Sequence, residues 1–469
     1  MSAVDLAYTP ATELAALIRS KKLSPVELTR SVLERIERLN PTLNAFCTVT
    51  ADAALAAARA AEQAVMRGER LGPLHGLPFS VKDLALTKGV PTKFGSHIFA
   101  SRIGEVDTPY VRRLHEAGGI MVGKTTTPEF GWKALGDSPL TGITRNPWNT
   151  GVTPGGSSAG AGAAAAAGLG PLHQGSDGAG SIRIPSAFCG IVGIKANYGR
   201  VPLWPVSNND YATHAGPMTR TVADAALMLS VMAGPDDADP SCLDAPPADY
   251  VGQLDGGVQG LRIAYSPDLG GLRVDPEVAS VVAAAARAFE SLGARVEEVK
   301  PGFADSHDMI RLIWGAHYIG NYGQHLAEWR SRMDPGLVAC MDEAVRWSAQ
   351  DYVAMRGRKL AYWDSVRPLF ERHDLLLTPT TSVAAFEVGR LNPAGWPQHA
   401  WDWLPWASFS YPFNFTGQPA ATVPAGFTPG GLPVGLQIVG RRLADLTVIQ
   451  AARAFETARP WAVKTPPLA

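Results

Sequence analysis

Cysteine is scarce in this chain. The 469 residues contain four, Cys47, Cys189, Cys242 and Cys340, too far apart for the paired spacings that bind zinc or run thiol redox chemistry. A reducing, cytoplasmic setting fits, and neither metal nor cofactor is expected. Excess charge of one sign is lacking too. The 42 Lys and Arg stand against 43 Asp and Glu, a formal net charge of -1, which leaves no field to hold a polyanion or a membrane surface. Nucleic acid and membrane are therefore not expected partners. Long apolar runs are missing as well: MSAVDLAYTP has no basic region followed by an apolar one, and the alanine-rich stretch 161–172 is broken by Gly168, Gly170 and Pro171. Neither an export signal nor a membrane span is expected.

What the chain does have is an alternation of helix and strand signals. Thr9-Pro10 and Ser24-Pro25 place a capping residue before a first-turn proline, with Glu27 positioned to complete a capping box with Ser24. Residues 52–67 read as an alanine-rich helix, and 78–81, 119–122, 192–195 and 261–265 as short buried strands. Asp275-Pro276 caps another helix, followed by the strand-like ARVEEV. This rhythm predicts an α/β fold. Residues 234–257, rich in Asp, Pro and Ala, read as a surface crossing within one domain.

Three glycine-rich motifs offer competing chemistries. GGIMVGKT (118–125) matches the phosphate-binding pattern G-x-x-x-x-G-K-T, yet its interior is strand-forming Ile120, Met121 and Val122 rather than flexible residues, and Pro128 blocks the helix that must follow. GSSAG (156–160) matches the G-x-S-x-G nucleophile elbow with Ser158 as nucleophile, but NPWNTGVTPG before it offers no strand to carry the elbow. The third reading joins LPFSVKDLALTKGVPTKFGS (77–96), TPGGSSAG (153–160) and GSDGAGSIRIPSAFCG (175–190). A glycine-rich turn ending in serine exposes a hydroxyl while aiming several N–H groups at one point, as acyl transfer requires. Ser181 is the candidate nucleophile, and Gly178, Ala179, Gly180 and Ser181 are candidate oxyanion donors. A serine needs a base. None of the ten histidines lies in these segments, whereas Lys82 follows an apolar run whose burial would lower its pKa into the working range.

These three segments resemble the amidase signature family, in the order and at the spacing that family uses. The likeness continues through 191–202, 375–386 and 418–440. It implies a single large domain over 1–469, with a mixed central β-sheet flanked by helices and a signature core at about 70–220. It also implies a Ser-Ser-Lys triad in which Lys82 is the base, Ser157 a bridging serine on a cis peptide bond and Ser181 the nucleophile. Ser158, Ser176, Asp177 and Arg183 would support the loops. One departure stands out: where the family commonly shows Asp-Thr-Gly-Gly-Ser, this chain has Asp177-Gly178-Ala179-Gly180-Ser181. The loss of a side chain at Gly178 points to an altered substrate preference.

The implied reaction is hydrolysis of a small-molecule carboxylic amide, anilide or carbamate by a monomer or homodimer. The alternative within the resemblance is the glutaminase subunit of a tRNA-dependent amidotransferase. Such subunits usually carry an Asn-Asp pair where this chain has Trp406 and Ala407. Residues 303–372 and 396–415 are expected to overhang the site, with Trp314, Tyr318, Trp401, Trp406 and Phe409 as candidate pocket walls. Trp314, Tyr318 and Tyr322 share one helix face, a pattern more typical of core, whereas the tryptophans of the 396–406 loop read as the better wall candidates.

Overall fold

Short β-branched and apolar runs become the strands of one sheet. In the computed structural model, which describes residues 3–207 and 209–468, the strands are β1 (Phe46–Val49), β2 (Pro78–Lys82), β3 (Ile120–Thr125), β4 (Asp137–Ser138), β5 (Gly142–Ile143), β6 (Leu172–Asp177), β7 (Val192–Lys195), β8 (His214–Thr219), β9 (Arg262–Tyr265), β10 (Arg295–Glu298), β11 (Leu375–Pro379), β12 (Ala420–Phe427) and β13 (Pro433–Gly440). Eleven of them form a single sheet in the order β1-β3-β2-β6-β8-β7-β12-β13-β11-β9-β10, and β4 pairs with β5 alone. The sheet is mixed: β2 runs parallel to β3 and β6, while β6 and β8 are antiparallel.

Both faces of the sheet are covered. Leu375 and Leu377 of β11 enter one hydrophobic cluster and Leu376 the other, as the two-residue side-chain period of a strand requires. Helices supply the remainder of each core. The helix Ala159–Ala166 is buried along its whole length, and its small residues permit close approach: a Cβ on Gly160 would lie 2.1 Å from the Ala45 carbonyl oxygen.

Helix starts follow their caps with small shifts. Pro25–Leu43 begins after Ser24, whose hydroxyl accepts from the N–H of Val26 and Glu27. The same hydroxyl donates to Glu62 at 2.5 Å, a contact with a distant helix that no local pattern encodes. The first turn after Thr9 begins one residue later than read, at Ala11, with Pro10 in the cap position. Asp275 caps Pro276–Ser291 by accepting from Glu277 N–H at 3.0 Å. Among the described residues no helix is long and apolar enough to cross a membrane.

Candidate active site

The parallel neighbours β2 and β6 end side by side, and the loops that leave such ends are where α/β sheets present ligand sites. Lys82 is the last residue of β2 and Asp177 the last of β6. Lys82 is fully buried, and its Nζ donates to Ser157 Oγ at 2.7 Å and to Ser176 Oγ at 3.0 Å. Burial lowers its pKa to about 7, with the Asp177 charge pulling the other way. Asp83 is turned aside, accepting the Lys93 N–H at 3.2 Å.

Ser157 lies at the entrance to the buried helix Ala159–Ala166, after a cis Gly156–Ser157 peptide bond. Gly156 is required by packing, since a Cβ there would sit 2.2 Å from the Leu135 carbonyl oxygen. Ser158 clamps the neighbouring strand: its hydroxyl donates to the Ser176 carbonyl at 3.1 Å and accepts the Ser176 N–H at 3.2 Å. Its own N–H donates to the Ser181 carbonyl at 3.2 Å, which ties the two serine segments together.

The turn carrying Ser181 is wrapped around the Asp177 carboxylate. That carboxylate accepts the Gly180 N–H at 2.7 Å, the Ile182 N–H at 3.2 Å and both arms of the Arg183 guanidinium at 2.9 Å. Burial alone would raise its pKa, but the Arg183 charge and hydrogen bonds outweigh burial and hold it far below the carboxylate range. Arg183 is in turn fixed by Ser410 O at 2.7 Å, Gln437 Oε1 at 2.7 Å and Asn414 Oδ1 at 2.6 Å. One expectation is corrected here. With its N–H turned inward onto Asp177, Gly180 is not an oxyanion donor, which leaves Gly178, Ala179 and Ser181 as candidates. Gly180 has a different purpose: its φ is +119°, and a Cβ would fall 2.3 Å from Ser410 Oγ. Gly180→Ala is expected to destabilise the fold by about 2 kcal/mol or more, measurable as a lowered unfolding midpoint in denaturant.

Lys82, Ser157, Ser176, Gly178 and Ser181 all line one cavity of about 400 Å³. Its apolar wall includes Trp314, Tyr318 and Tyr322 of the helix His307–Tyr322, together with Phe130. Trp314 Nε1 donates to the Trp132 carbonyl at 2.6 Å, and Phe130 stacks on Tyr322 with centroids 3.8 Å apart. The expectation for three candidate wall residues of the 396–415 segment is corrected. Trp401, Trp406 and Phe409 do not line this cavity and are buried to 1%, 0% and 0% exposure. Their polar atoms are satisfied inside the core, Trp406 Nε1 by the Leu391 carbonyl at 3.2 Å and Trp401 Nε1 by Glu343 at 2.9 Å. A loop whose indole N–H groups find partners buries its large apolar surface as well as a helix does.

The phosphate-loop match serves the scaffold. Lys124 of GGIMVGKT sits on β3 with its ammonium bonded to the Ala85 carbonyl, Thr87 Oγ1 and Thr92 Oγ1. Among the described residues no three His, Cys, Asp or Glu side chains cluster as a metal site would need. Sequence reasoning missed Phe130, Asn209 and Thr213 as cavity residues. Phe130 reaches its place through a left-handed backbone, φ 52°, for which a bulky aromatic gives no local signal.

The family model for amidases matches residues 27–449. An acylamidase of Rhodococcus erythropolis is 42% identical over 476 residues, covering 99% of this chain and 98% of the relative. The chain belongs to the amidase signature family. The structure of a bacterial aryl acylamidase of that family superposes with a TM-score of 0.91 at 33% identity, covering 97% of both chains. A glutamyl-tRNA(Gln) amidotransferase subunit of Methylococcus capsulatus is 36% identical over 483 residues, covering 97% of this chain and 98% of that one. As a member of the amidase signature family the protein is an amide-hydrolysing enzyme.

Proposed function

We propose that the protein hydrolyses small carboxylic amides, anilides foremost and carbamates among them, through an acyl-enzyme on Ser181. The observation that carries this reading is the Lys82–Ser157 hydrogen bond of 2.7 Å inside a cavity that Ser181 also lines. In the first half-reaction Ser157 passes its proton to neutral Lys82 and takes the proton of Ser181, whose oxygen forms a bond to the substrate carbonyl carbon. The N–H groups of Gly178, Ala179 and Ser181 face the developing oxyanion. Collapse breaks the C–N bond, and the proton returns from Lys82 through Ser157 to the departing amine. Water then repeats the sequence against the ester and releases the carboxylic acid.

The acylamidase relative and the aryl acylamidase neighbour support an anilide-type substrate. The glutaminase alternative has a 36% identical relative in its favour. Against it, Trp406 and Ala407 are fully buried, so these positions hold nothing that would bind a glutamine amino group. A screen of purified protein alone against aliphatic amides, anilides, carbamates and glutamine tests the reading. Release of ammonia from glutamine, with no turnover of the other classes, would decide for the alternative.

Gly178 sets the room at one end of the cavity. A Cβ there would lie 3.4 Å from the Trp314 ring and 3.3 Å from Asn209 Nδ2, so any larger side chain projects among these groups. Gly178→Val is expected to shift the kcat/KM ratio of a bulky to a small amide by about tenfold toward the small one. Parallel kinetics on benzoyl and acetyl anilides would read this, and an unchanged ratio would place the substrate elsewhere.

A further inference from the structure

Among the described residues that line the cavity there is no Asp or Glu. The described lining has one guanidinium, that of Arg102. Arg102 follows the short turn His97–Phe99 and is exposed at the cavity's rim. Its guanidinium carbon lies 5.2 Å from the Phe94 ring centroid and 5.4 Å from that of Phe99. Two aromatic rings thus hold the planar group, and among the described residues its N–H fork has no hydrogen-bond acceptor. Arg102 forms no ion pair among the described residues.

The rings beneath it form a continuous wall. Phe99 packs edge-on to Phe130 at 6.0 Å, Phe130 stacks on Tyr322, and Tyr318 follows at 6.2 Å with Trp314 a further 5.5 Å along. Trp314 and Tyr322 are two helical turns apart, about 12 Å along the axis. The wall therefore runs from the Gly178 end of the cavity to Arg102, past Gly131, where a Cβ would lie 3.2 Å from Ser157 Oγ. His317, also on the wall, is kept neutral by burial, which lowers its pKa to about 4, so it presents no second cation there at neutral pH.

We infer that Arg102 is a specificity-determining residue that receives a carboxylate at the far end of an amide substrate lying along this aromatic wall. The preferred substrates are then amides with an apolar body and one acidic end, rather than neutral or cationic amides. A guanidinium takes a carboxylate through two parallel N–H···O bonds, and a wall without acidic groups does not repel the incoming anion. The inference rests on the proposed hydrolysis at Ser181, and it leaves open to experiment whether the acid is on the acyl or the amine side.

Two matched substrate pairs separate these cases. Glutaryl against pentanoyl 4-nitroanilide places the acid on the acyl side; N-acetyl-4-aminobenzoate against N-acetyl-4-toluidine places it on the amine side. In one pair the wild type is expected to favour the acidic member in kcat/KM. Arg102→Gln should reduce that acid-to-neutral ratio by about tenfold, equivalent to about 1.4 kcal/mol, with the change mainly in KM. Arg102→Lys should restore part of the ratio, Arg102→Glu should invert it, and rising salt should diminish the wild-type ratio because the group is exposed. A ratio that differs by less than twofold between wild type and Arg102→Gln in both pairs would overturn the inference while leaving the hydrolysis standing. Failure of the wild type to cleave any of the four would overturn both.

Discussion

Replacing Ser181 by alanine is expected to lower kcat/KM for an anilide by about four to six orders of magnitude. Loss of the attacking oxygen removes the acyl-enzyme altogether, and the bridging pair Lys82–Ser157, still bonded to each other, has no nucleophile to deprotonate. A fluorophosphonate should add to Ser181 in the wild type and to no serine in Ser181→Ala, as intact mass and peptide mapping would show. Ser158→Ala offers the contrast. Its hydroxyl holds both backbone polar groups of Ser176, whose own hydroxyl supports Lys82. Activity should fall by no more than about a hundredfold, because the shelf under Lys82 loosens while the nucleophile survives. A label found on Ser158 would reassign the reacting residue.

The second large effect belongs to Lys82. With its pKa lowered to about 7 by burial, the side chain is a proton acceptor above that pH and already protonated below it. Acylation by the wild type should therefore climb as pH rises through about 7 and level off beyond. Lys82→Ala should lose about three orders of magnitude near pH 8, and Lys82→Arg should recover none of it, since a guanidinium stays protonated. Stopped-flow acylation by an activated ester would read the profile without the demand for amine protonation. A Lys82→Ala profile that keeps its inflection near 7 would show that another group is the base.

The same shift has a consequence for stability. The folded value lies below the ordinary lysine value of 10.5, so between about pH 7 and 10.5 the unfolded chain binds a proton that the folded chain does not. Stability linked to this residue rises with pH across that window, and its full cost is felt below about 7. Lys82→Met, which fills the space without a charge to desolvate, is expected to raise the unfolding temperature at pH 7 by about 3 °C. Calorimetry on the inactive variant would measure it; a fall instead would indicate that the hydrogen bonds to Ser157 and Ser176 outweigh the burial penalty.

Much of the candidate site was written locally. An apolar strand ending in Lys82 and a glycine-rich turn ending in Ser181 announce themselves within a few residues, because strand burial and turn chemistry are short-range. The inward rotation of the Gly180 N–H was not legible: it depends on the direction of Asp177, which depends on Arg183, which Ser410, Asn414 and Gln437 fix from far along the chain. The aromatics teach a similar lesson. Spacing correctly put Trp314, Tyr318 and Tyr322 on one helix face, but periodicity does not say whether a face meets core or cavity, and here it meets both, packing into the core cluster while lining the cavity. The tryptophans of the loop, by contrast, entered the core because Leu391 and Glu343 satisfy their N–H groups.

The Arg183 bonds also bear on how the chain matures. They join residues separated by 227, 231 and 254 positions, so a nascent chain that has emerged as far as Ser181 has the Asp177 carboxylate to bend the turn but none of the distant groups that fix Arg183. On the proposed mechanism the Ser181 turn is expected to take its final shape only after Gln437 of β13 has docked, late in a folding sequence with long loop closures. Chains truncated before β13 are therefore expected to lack activity, and activity during refolding is expected to appear with the docking of the C-terminal strands.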